Sequence, residues 1–214
     1  MSTSNWDSGK KQSNYHFDWL GGIDRQSDYG YVGRIYGDWE DELLPIIDEA
    51  VPTTWRSRGK DYTRGFSDIE GEENDLKNAG MSTKTIIMSK HREFTGKFKE
   101  MVDCLALENG QGAFHIMNPG DMLNLHIDKQ YEHNEDYTKV GRYFIFLRDW
   151  EAGHFIQMGN EFLKWKKGDV FWFDWKNIPH ASANAGWTPR CMIQYTGTIT
   201  DKTPTIGEPI KYAL

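Results

Sequence analysis

The stretch Asp169–Trp175 (DVFWFDW) is a strongly β-forming run, because five of its seven residues are valine or aromatic. Gly168 precedes it and Pro179 follows it, and residues of these types commonly bound strands. Seven similar short runs lie around it, separated by glycine, asparagine, aspartate and proline. Eight short strands with turns between them predict an antiparallel sandwich or barrel, and the jelly roll is the leading candidate. The predicted strands are residues 112–118, 122–128, 142–148, 153–158, 161–165, 169–175, 179–184 and 190–199.

The residues before these strands predict two helices and one further strand. Asp38–Ala50 predicts a short helix with Asp38 as its N-cap, although Pro45 is expected to break or shift it. Thr83–Ser89 predicts a strand. His91–Leu107 predicts a longer helix with its apolar residues on a single face. That face consists of Phe94, Phe98, Met101, Val102 and Leu105.

Charge divides the chain into two segments. Residues 1–80 contain 9 Lys and Arg against 16 Asp and Glu, whereas residues 81–214 contain 16 of each, so the whole net charge of −7 lies in the first segment. This segment is also polar, rich in glycine and aspartate, and carries scattered tryptophans that suggest packing on a neighbouring core. We therefore predict an acidic N-terminal extension, residues 1–80, packed on a barrel formed by residues 81–214, within one structural domain.

Composition excludes several classes of protein. The chain has no run or stripe of Lys and Arg, which argues against a nucleic-acid partner, because binding a phosphate backbone requires a positive patch. Apolar stretches such as Val170–Phe173 are far shorter than the roughly 20 residues of a membrane span, so no membrane partner is expected. Met1–Gln12 lacks the apolar segment of a secretory signal. With only Cys104 and Cys191, a disulfide framework is excluded and a cytoplasmic location is predicted.

The sharpest local motif is His126-Ile127-Asp128. If this segment is a strand, His126 and Asp128 project from the same face, because residues two apart share a face. An imidazole beside a carboxylate provides two of the three protein ligands of a facial triad, which leaves three positions open on iron. Taken alone, the pair also fits an ordinary polar contact at a strand end.

Two further residues extend this motif into a candidate iron site. His180 follows the run Asp169–Trp175, where a later strand can bring it beside the first pair. Arg190 stands ten residues after His180, at the opening of the last predicted strand. Near an open iron site, a guanidinium can hold the far carboxylate of a dicarboxylic acid by a two-pronged, charge-assisted hydrogen bond.

The order His-x-Asp, then about fifty residues, then His and an Arg ten residues later resembles the signature of the Fe(II)- and 2-oxoglutarate-dependent oxygenases. The segments PGDMLNLHID and LRDWEAGHF resemble the prolyl 4-hydroxylase branch, and WKKGDVFWFDWKNIPHASANAGWTPR resembles the aspartyl/asparaginyl β-hydroxylase branch. The resemblance covers about residues 112–199. Prolyl hydroxylases usually have Tyr at the position of Leu123 and Lys at that of Arg190, and typical animal aspartyl hydroxylases have Gly at that of Asp128.

The resemblance implies a mainly β fold with flanking helices, the double-stranded β-helix or jelly-roll barrel. It implies that His126, Asp128 and His180 bind Fe(II) as the catalytic centre and that Arg190 binds the distal carboxylate of 2-oxoglutarate. Arg142, which opens the strand RYFIFL, is a second predicted cosubstrate contact, with an ordinary edge arginine as the alternative. The implied reaction consumes O2, converts 2-oxoglutarate to succinate and CO2, and hydroxylates a C–H bond of a small-molecule or peptidyl substrate, expected to be an amino-acid side chain.

Other polar residues compete for places in this site. For the histidines, a packed or surface position is the more common outcome than a cavity position. Ser182 and Asn184 follow His180 at the same strand phase, and hydrogen bonding in a turn or at a sheet edge is favoured over donation to the cosubstrate. The competing histidines are His115, His133 and His154.

Aromatic residues near the motif suggest contacts with the substrate. Trp175 and Trp187 bracket His180, and packing in the core or rim is favoured for them over a wall of the substrate pocket. The polar loop 129–140 leaves directly from the His-x-Asp motif and suggests Tyr131 and Tyr137 as substrate contacts. A solvated connector is the alternative for this loop.

Two other functions remain open. One is a cupin-like metalloenzyme that uses the same barrel without 2-oxoglutarate, and the other is a non-catalytic jelly-roll binding module. Arg190 favours the oxygenase over the first, because a cupin has no need of a dicarboxylate anchor. The complete triad argues against the second.

Overall fold

The structure, a computed structural model, describes residues 29–49, 52–54, 86–91, 94–126, 139–175, 178–206 and 210–213 of the chain. These residues form twelve strands and two helices, and neither helix has the length and apolar composition that crossing a membrane requires. In chain order they are β1 (Tyr29–Tyr36), α1 (Glu40–Glu49), β2 (Pro52–Thr54), β3 (Ile86–His91), α2 (Gly96–Asp103), β4 (Glu108–Met117), β5 (Met122–His126), β6 (Val140–Phe146), β7 (His154–Met158), β8 (Glu161–Phe162), β9 (Asp169–Phe173), β10 (His180–Asn184), β11 (Arg190–Thr198) and β12 (Ile210–Ala213).

Strands β4 to β11 form a double-stranded β-helix. Four of them (β9, β6, β11 and β4) lie in a large sheet, which has the order β12-β1-β9-β6-β11-β4-β3-β2. The other four form a small sheet with the order β5-β10-β7-β8. The chain crosses repeatedly from one sheet to the other, and every pairing described among these eight strands is antiparallel. The predicted mainly β fold with flanking helices and jelly-roll topology is confirmed.

The inner core, between the two sheets, consists largely of aromatic rings. Phe144 stacks on Phe173 with ring centroids 4.4 Å apart, and Phe146 stacks on Trp165 at 4.2 Å. Full burial of each such side chain contributes roughly 1.5–3 kcal/mol. The other buried members are Ile156, Met158, Leu163, Phe171, Trp175, Ile178 and Met192.

The outer core lies between the other face of the large sheet and the two helices. The alternation along β11 separates the two cores, since Cys191 and Ile193 belong to the outer core and Met192 to the inner one. Trp39, just before α1, is buried in the outer core and donates its Nε1–H to the carbonyl oxygen of Leu147 at 2.9 Å. The helices contribute Leu43, Ile46, Phe98, Met101 and Val102 to it.

The predicted helix at Asp38–Ala50 is present as α1. The Asp38 carboxylate accepts a hydrogen bond from the backbone amide of Glu40 at 3.3 Å. Pro45 lies inside the helix and neither breaks nor shifts it. An interior proline costs roughly 3 kcal/mol, and burial of Leu43 and Ile46 in the outer core offsets this cost.

Helix α2 is shorter than the predicted helix 91–107, because the first residues of that segment belong to a strand. β3 continues to His91, which pairs with Ala113 of β4. Thr95 then has an extended backbone, and the helix begins at Gly96. The predicted apolar face is confirmed, since Phe94, Phe98, Met101, Val102 and Leu105 are all buried.

Strand β1 has no counterpart in the sequence prediction. It joins the large sheet between β12 and β9. A register shift between Tyr31 and Gly33 interrupts its alternation, so its buried apolar side chains, those of Val32 and Ile35, are three residues apart. A broken period of two does not stand out as a strand in sequence. Most of residues 1–80 lie outside the described part of the chain, so the predicted domain boundary stays a prediction.

Candidate metal and carboxylate site

Two of the predicted iron ligands lie on neighbouring strands of the small sheet. His126 is the last residue of β5, His180 is the first of β10, and the backbones of these two residues pair directly. On its other side His180 pairs with Met158, a member of the inner core. Directly opposed residues share a face of a sheet, so His180 faces the barrel interior, where only 6% of its surface is exposed.

The third predicted ligand, Asp128, and the side chain of His126 lie outside the described part of the chain. Among the groups that the structure does describe, no three histidine, cysteine or carboxylate side chains are placed to hold a metal. The structure therefore brings the backbones of His126 and His180 together, and the complete ligand set stays a prediction.

The ring of His180 is held in one orientation. Its Nδ1 lies 3.0 Å from the carbonyl oxygen of Ile178. A carbonyl oxygen only accepts, so Nδ1 carries the proton and the lone pair of the neutral ring lies on Nε2. Phe173 contacts the ring edge-on, with centroids 5.3 Å apart. A backbone carbonyl on one ring nitrogen commonly orients metal-binding histidines, so His180 fits that role.

Arg190 opens β11 and is enclosed, with 2% of its surface exposed. The alternation that directs Cys191 to the outer core and Met192 to the inner one places Arg190 on the inner face. Neither its Nε nor its Nη1 has a hydrogen-bond partner in the part of the chain that the structure describes. Burial lowers the pKa of the guanidinium to about 10. A buried, uncompensated cation is costly, so this side chain fits a binding site for an anion.

A small hydrogen-bond network surrounds Arg190. Asn184, at the end of β10, donates from Nδ2 to the carbonyl oxygens of Met117 and Thr188, each at 2.8 Å. Because Met117 pairs with Arg190 in the large sheet, this amide links the two sheets beside the backbone of Arg190. His154 lies opposite Asn184 in the small sheet, and its Nε2 is 3.1 Å from the same Thr188 carbonyl.

The surroundings of His154 favour the neutral form of its imidazole. Burial is the main cause that lowers its pKa, and the positive charge of Arg190 lowers it further. The bond to the Thr188 carbonyl and the charge of Glu151 act in the opposite direction. Within the described residues, Nδ1 of His154 has no hydrogen-bond partner.

Sequence reasoning does not assign His154 to the site, although two signals point to it. His154 shares its strand phase with Ile156 and Met158, which are members of the inner core. Gly153, just before it, has φ +96°, and a Cβ there would lie 2.4 Å from the backbone nitrogen of Gly186. Glycine therefore allows β7 to begin against the β10–β11 connection, which places His154 at the same end of the barrel as Arg190.

Arg142 lies at the opposite end of the β6–β11 pair from Arg190. Its register partner is Thr196, six residues beyond Arg190 and about 20 Å away along the strand. Its Nε donates to Thr196 Oγ1 at 2.8 Å, and its guanidinium carbon lies 4.3 Å from the centroid of the Trp175 ring. The structure does not bring Arg142 together with Arg190, and its contact with a cosubstrate stays a prediction.

The remaining sequence predictions have mixed outcomes. Trp175 is buried in the inner core, as expected, but core or rim packing is wrong for Trp187, which is 94% exposed on the connection between β10 and β11. Turn hydrogen bonding by Asn184 is confirmed, since its Oδ1 accepts from the amide of Gly186 at 2.9 Å. His115 is buried on β4. Tyr131, His133 and Tyr137 lie outside the described residues.

No protein-family model matches the chain, and comparison of its sequence with curated proteins gives no match. Solved structures that resemble it include a protein described as a predicted oxalate decarboxylase from Thermotoga maritima. The two sequences are 16% identical, the match covers 54% of this chain and 84% of that chain, and the TM-score is 0.35. The cupin domain of a transcriptional regulator from Enterobacter cloacae is 10% identical, with 53% and 98% covered and a TM-score of 0.35. An RmlC-like cupin from Shewanella frigidimarina is 8% identical, with 54% and 78% covered and a TM-score of 0.34. Similarity at this level concerns the jelly-roll fold alone.

Proposed function

We propose that this protein is an Fe(II)- and 2-oxoglutarate-dependent dioxygenase that hydroxylates a C–H bond of a peptidyl or free amino-acid side chain. Arg190 is the observation that supports this most directly. Its buried guanidinium has two nitrogens without partners among the described residues, and it lies inside a barrel whose small sheet pairs His126 with His180. A dicarboxylate that spans from a metal at the histidines to the guanidinium would satisfy both ends.

His126, Asp128 and His180 would hold the iron. The register of the two histidines and the orientation of the His180 ring support this set. Asp128 follows His126 by two residues, so it returns to the same face wherever the strand continues. Two imidazoles and one carboxylate are the ligands of an open non-haem iron site. When bound with a 2-oxo acid, such iron supplies O2 activation and the oxidative decarboxylation that yields succinate and CO2.

The length of the barrel interior suits a five-carbon dicarboxylate. Asn184, beside Arg190, lies four residues beyond His180 on β10, about 13 Å along the strand. The extended arginine side chain and a five-carbon acid can bridge this distance together. The distal carboxylate would accept two charge-assisted hydrogen bonds from Nε and Nη1 and would neutralise the buried charge.

Other side chains of the chain would orient the site and exclude water. Phe173 fixes the ring of His180 from one side. Asn184 holds the two sheets together at the carboxylate end. The stacked rings of Phe144 and Phe146 with their partners fill the space between the sheets, which keeps water away and strengthens electrostatic contacts with a bound anion.

The second candidate is a cupin-like metalloenzyme that does not use 2-oxoglutarate. The eight-stranded barrel fits it equally, and the solved structures that resemble the chain include cupins. Such a protein would bind a metal through His126 and His180 but would not require Arg190. A non-catalytic jelly-roll binding module would require neither. The role of Arg190 therefore separates the three functions.

An anaerobic titration of the Fe(II)-loaded protein with 2-oxoglutarate tests the proposal. Chelation by the 2-oxo acid gives a visible charge-transfer band, and admission of O2 then gives succinate. We expect both in the wild type and neither in Asp128→Ala. In Arg190→Ala the titration midpoint should rise about 30- to 100-fold, because two charge-assisted hydrogen bonds are lost.

Arg148→Ala is the matched control for this titration. Arg148 forms an ion pair with Glu40 at the start of α1, away from the inner face. Its removal should leave the midpoint unchanged. A wild-type protein that binds Fe(II) without giving a band would overturn the proposal in favour of the cupin-like alternative. A band that Arg190→Ala does not weaken would overturn the assignment of the carboxylate anchor.

A further inference from the structure

Two enclosed side chains at one end of the barrel have nitrogen atoms without partners in the described part of the chain. They are Arg190, through Nε and Nη1, and His154, through Nδ1, and each side chain belongs to a residue that is 2% exposed. Asn184 connects them, since it pairs with His154 across the small sheet and donates to the carbonyl of Met117, the register partner of Arg190. Both side chains therefore lie at the same end of the barrel interior, and the charge of Arg190 acts on the imidazole of His154.

The hydrogen bond of Nε2, at the other side of the imidazole, determines whether Nδ1 carries a proton in the neutral ring. Nε2 of His154 faces the carbonyl oxygen of Thr188 at 3.1 Å, and a carbonyl only accepts, so Nε2 carries a proton. In the neutral ring Nδ1 is then a bare lone pair. A lone pair cannot donate to a carboxylate and is repelled by it, whereas a protonated Nδ1 donates.

We propose that Arg190 and His154 form a proton-coupled carboxylate pocket, in which a carboxylate bound by Arg190 is accompanied by one proton that His154 takes from solvent onto Nδ1. The proposal rests on the proposed function for its natural ligand, 2-oxoglutarate, but the pocket would treat any small carboxylate in the same way. The charged imidazole would donate to the ligand from Nδ1 and to the Thr188 carbonyl from Nε2. Nε and Nη1 of Arg190 and both ring nitrogens of His154 would then have hydrogen-bond partners.

The charges around His154 agree with this coupling. In the ligand-free pocket Arg190 opposes protonation and Glu151 favours it, and burial of the ring makes the neutral form the stable one. Among the described residues, the uncharged groups that face the ring are Asn184, the Thr188 carbonyl and Trp165, whose ring is parallel to the imidazole at 6.4 Å. His115 lies on the inner face of the large sheet, because its register partner Met192 belongs to the inner core. A bound carboxylate offsets the positive charge of Arg190 and offers a hydrogen-bond acceptor to Nδ1, so the pKa of His154 rises on binding.

The sign of the pH dependence follows from this rise. Between the pKa of His154 in the ligand-free protein and its higher value in the complex, binding takes up a proton, and affinity falls as pH increases. The largest slope is about tenfold in affinity per pH unit, for one proton. Below the pKa of His154 in the ligand-free protein and above its pKa in the complex, affinity is independent of pH.

Titration calorimetry measures the proton directly. 2-Oxoglutarate, succinate and acetate would each be titrated into metal-free and Mn(II)-loaded protein at pH 7.5, in two buffers with different ionisation enthalpies. The slope of the observed enthalpy against the buffer enthalpy gives the number of protons taken up. We expect uptake approaching one proton for the wild type, and an affinity that rises from pH 8 to pH 7.

His154→Phe is the decisive variant. Phenylalanine keeps the flat ring beside Trp165, and the Thr188 carbonyl keeps its hydrogen bond from Asn184. This variant should take up no proton and should bind with an affinity independent of pH. His154→Gln, whose amide can still donate to Thr188, gives the same test if the first variant does not fold. Arg148→Ala, which removes an ion pair with Glu40 of α1, is the control and should behave as the wild type.

The outcomes separate this inference from the proposed function. Binding of 2-oxoglutarate without proton uptake, or with uptake that persists in His154→Phe, would overturn the inference and leave the oxygenase proposal intact. Binding of succinate or acetate with uptake, but no binding of 2-oxoglutarate, would retain the pocket and contradict the oxygenase. If no carboxylate binds, both are wrong.

Discussion

The two faces of the large sheet differ in whether their buried polar atoms have hydrogen-bond partners. On the outer face, buried polar atoms of the aromatic side chains are paired with carbonyl oxygens. The indole N–H of Trp39 donates to the Leu147 carbonyl at 2.9 Å, and the hydroxyl of Tyr143 donates to the Pro204 carbonyl at 3.3 Å. On the inner face, Arg190 and, across from it, His154 have buried nitrogens with no partner among the described residues. Unpaired buried charge reduces stability. The outer face therefore stabilises the fold, whereas the inner face contains a destabilising buried charge that fits the proposed binding site.

The largest expected effect concerns the outer face. Phe114 is fully buried and contacts the rings of Phe94 and Phe98, with centroid distances of 5.1 Å and 4.9 Å. Phe114→Ala should lower the free energy of unfolding in urea by about 3–5 kcal/mol, because it leaves a cavity in the outer core. Phe155→Ala, on an exposed strand position, should change it by less than about 1 kcal/mol. Equal effects of the two substitutions would contradict a stabilising role for this core.

Arg190→Met, on the inner face, is expected not to lower the free energy of unfolding, in contrast to Phe114→Ala. It removes a buried charge and keeps an unbranched side chain of similar shape, so the free energy of unfolding should stay constant or increase by about 1–3 kcal/mol. Affinity for 2-oxoglutarate should fall in the same variant. Urea unfolding and the ligand titration measure the two quantities. A variant that is destabilised and still binds 2-oxoglutarate would show that Arg190 has a structural role.

The barrel was predictable from sequence because the residue pattern that indicates each strand is local. Each strand is a short β-branched or aromatic run between turn residues, so the predicted runs 142–148 and 169–175 correspond to β6 and β9 within a few residues. Two features that the sequence did not predict, strand β1 and the continuity of α1, arise where packing overrides a local rule. The bulge at Tyr31–Gly33 hides β1, and burial on the large sheet carries α1 through Pro45.

The candidate site was predictable only where its residues follow the family spacing. The spacing of the oxygenases that the sequence resembles predicts His126, Asp128, His180 and Arg190. The register of β5 with β10 brings the backbones of the two histidines together, and the ligand set stays a prediction. His154 has no such spacing. Its relation to Arg190 arises because β7 pairs with β10 and Asn184 bonds to Met117 of the other sheet, and contacts between distant strands leave no pattern in a single sequence.

A smaller effect tests one of the paired polar groups of the outer face, the indole N–H of Trp39. Trp39→Phe retains most of the buried ring but removes the donor to the Leu147 carbonyl. The carbonyl is then left without this bond inside the core, and we expect the free energy of unfolding to decrease by about 1–2 kcal/mol. Trp187→Phe, at an exposed position, is the matched control and should have no measurable effect. An unchanged stability in Trp39→Phe would mean that the outer face does not depend on pairing its polar groups.

The smallest expected effect is a pH dependence of stability that originates at His154. In the ligand-free protein the pKa of this imidazole is lowered below its ordinary value of about 6.5, mainly by burial. The unfolded chain therefore binds a proton that the folded chain does not, so the contribution of the neutral ring is complete above the unfolded pKa and is lost as pH falls through that value. Its size is at most about 1.4 kcal/mol for each unit by which the pKa is lowered. Urea unfolding of the wild type and His154→Phe at pH 7, 6 and 5 measures it, because other titrating groups are common to both proteins and cancel in the difference. We expect the wild type to lose more stability than the variant over this range, and parallel curves would show that the inner face does not hold the imidazole in its neutral form.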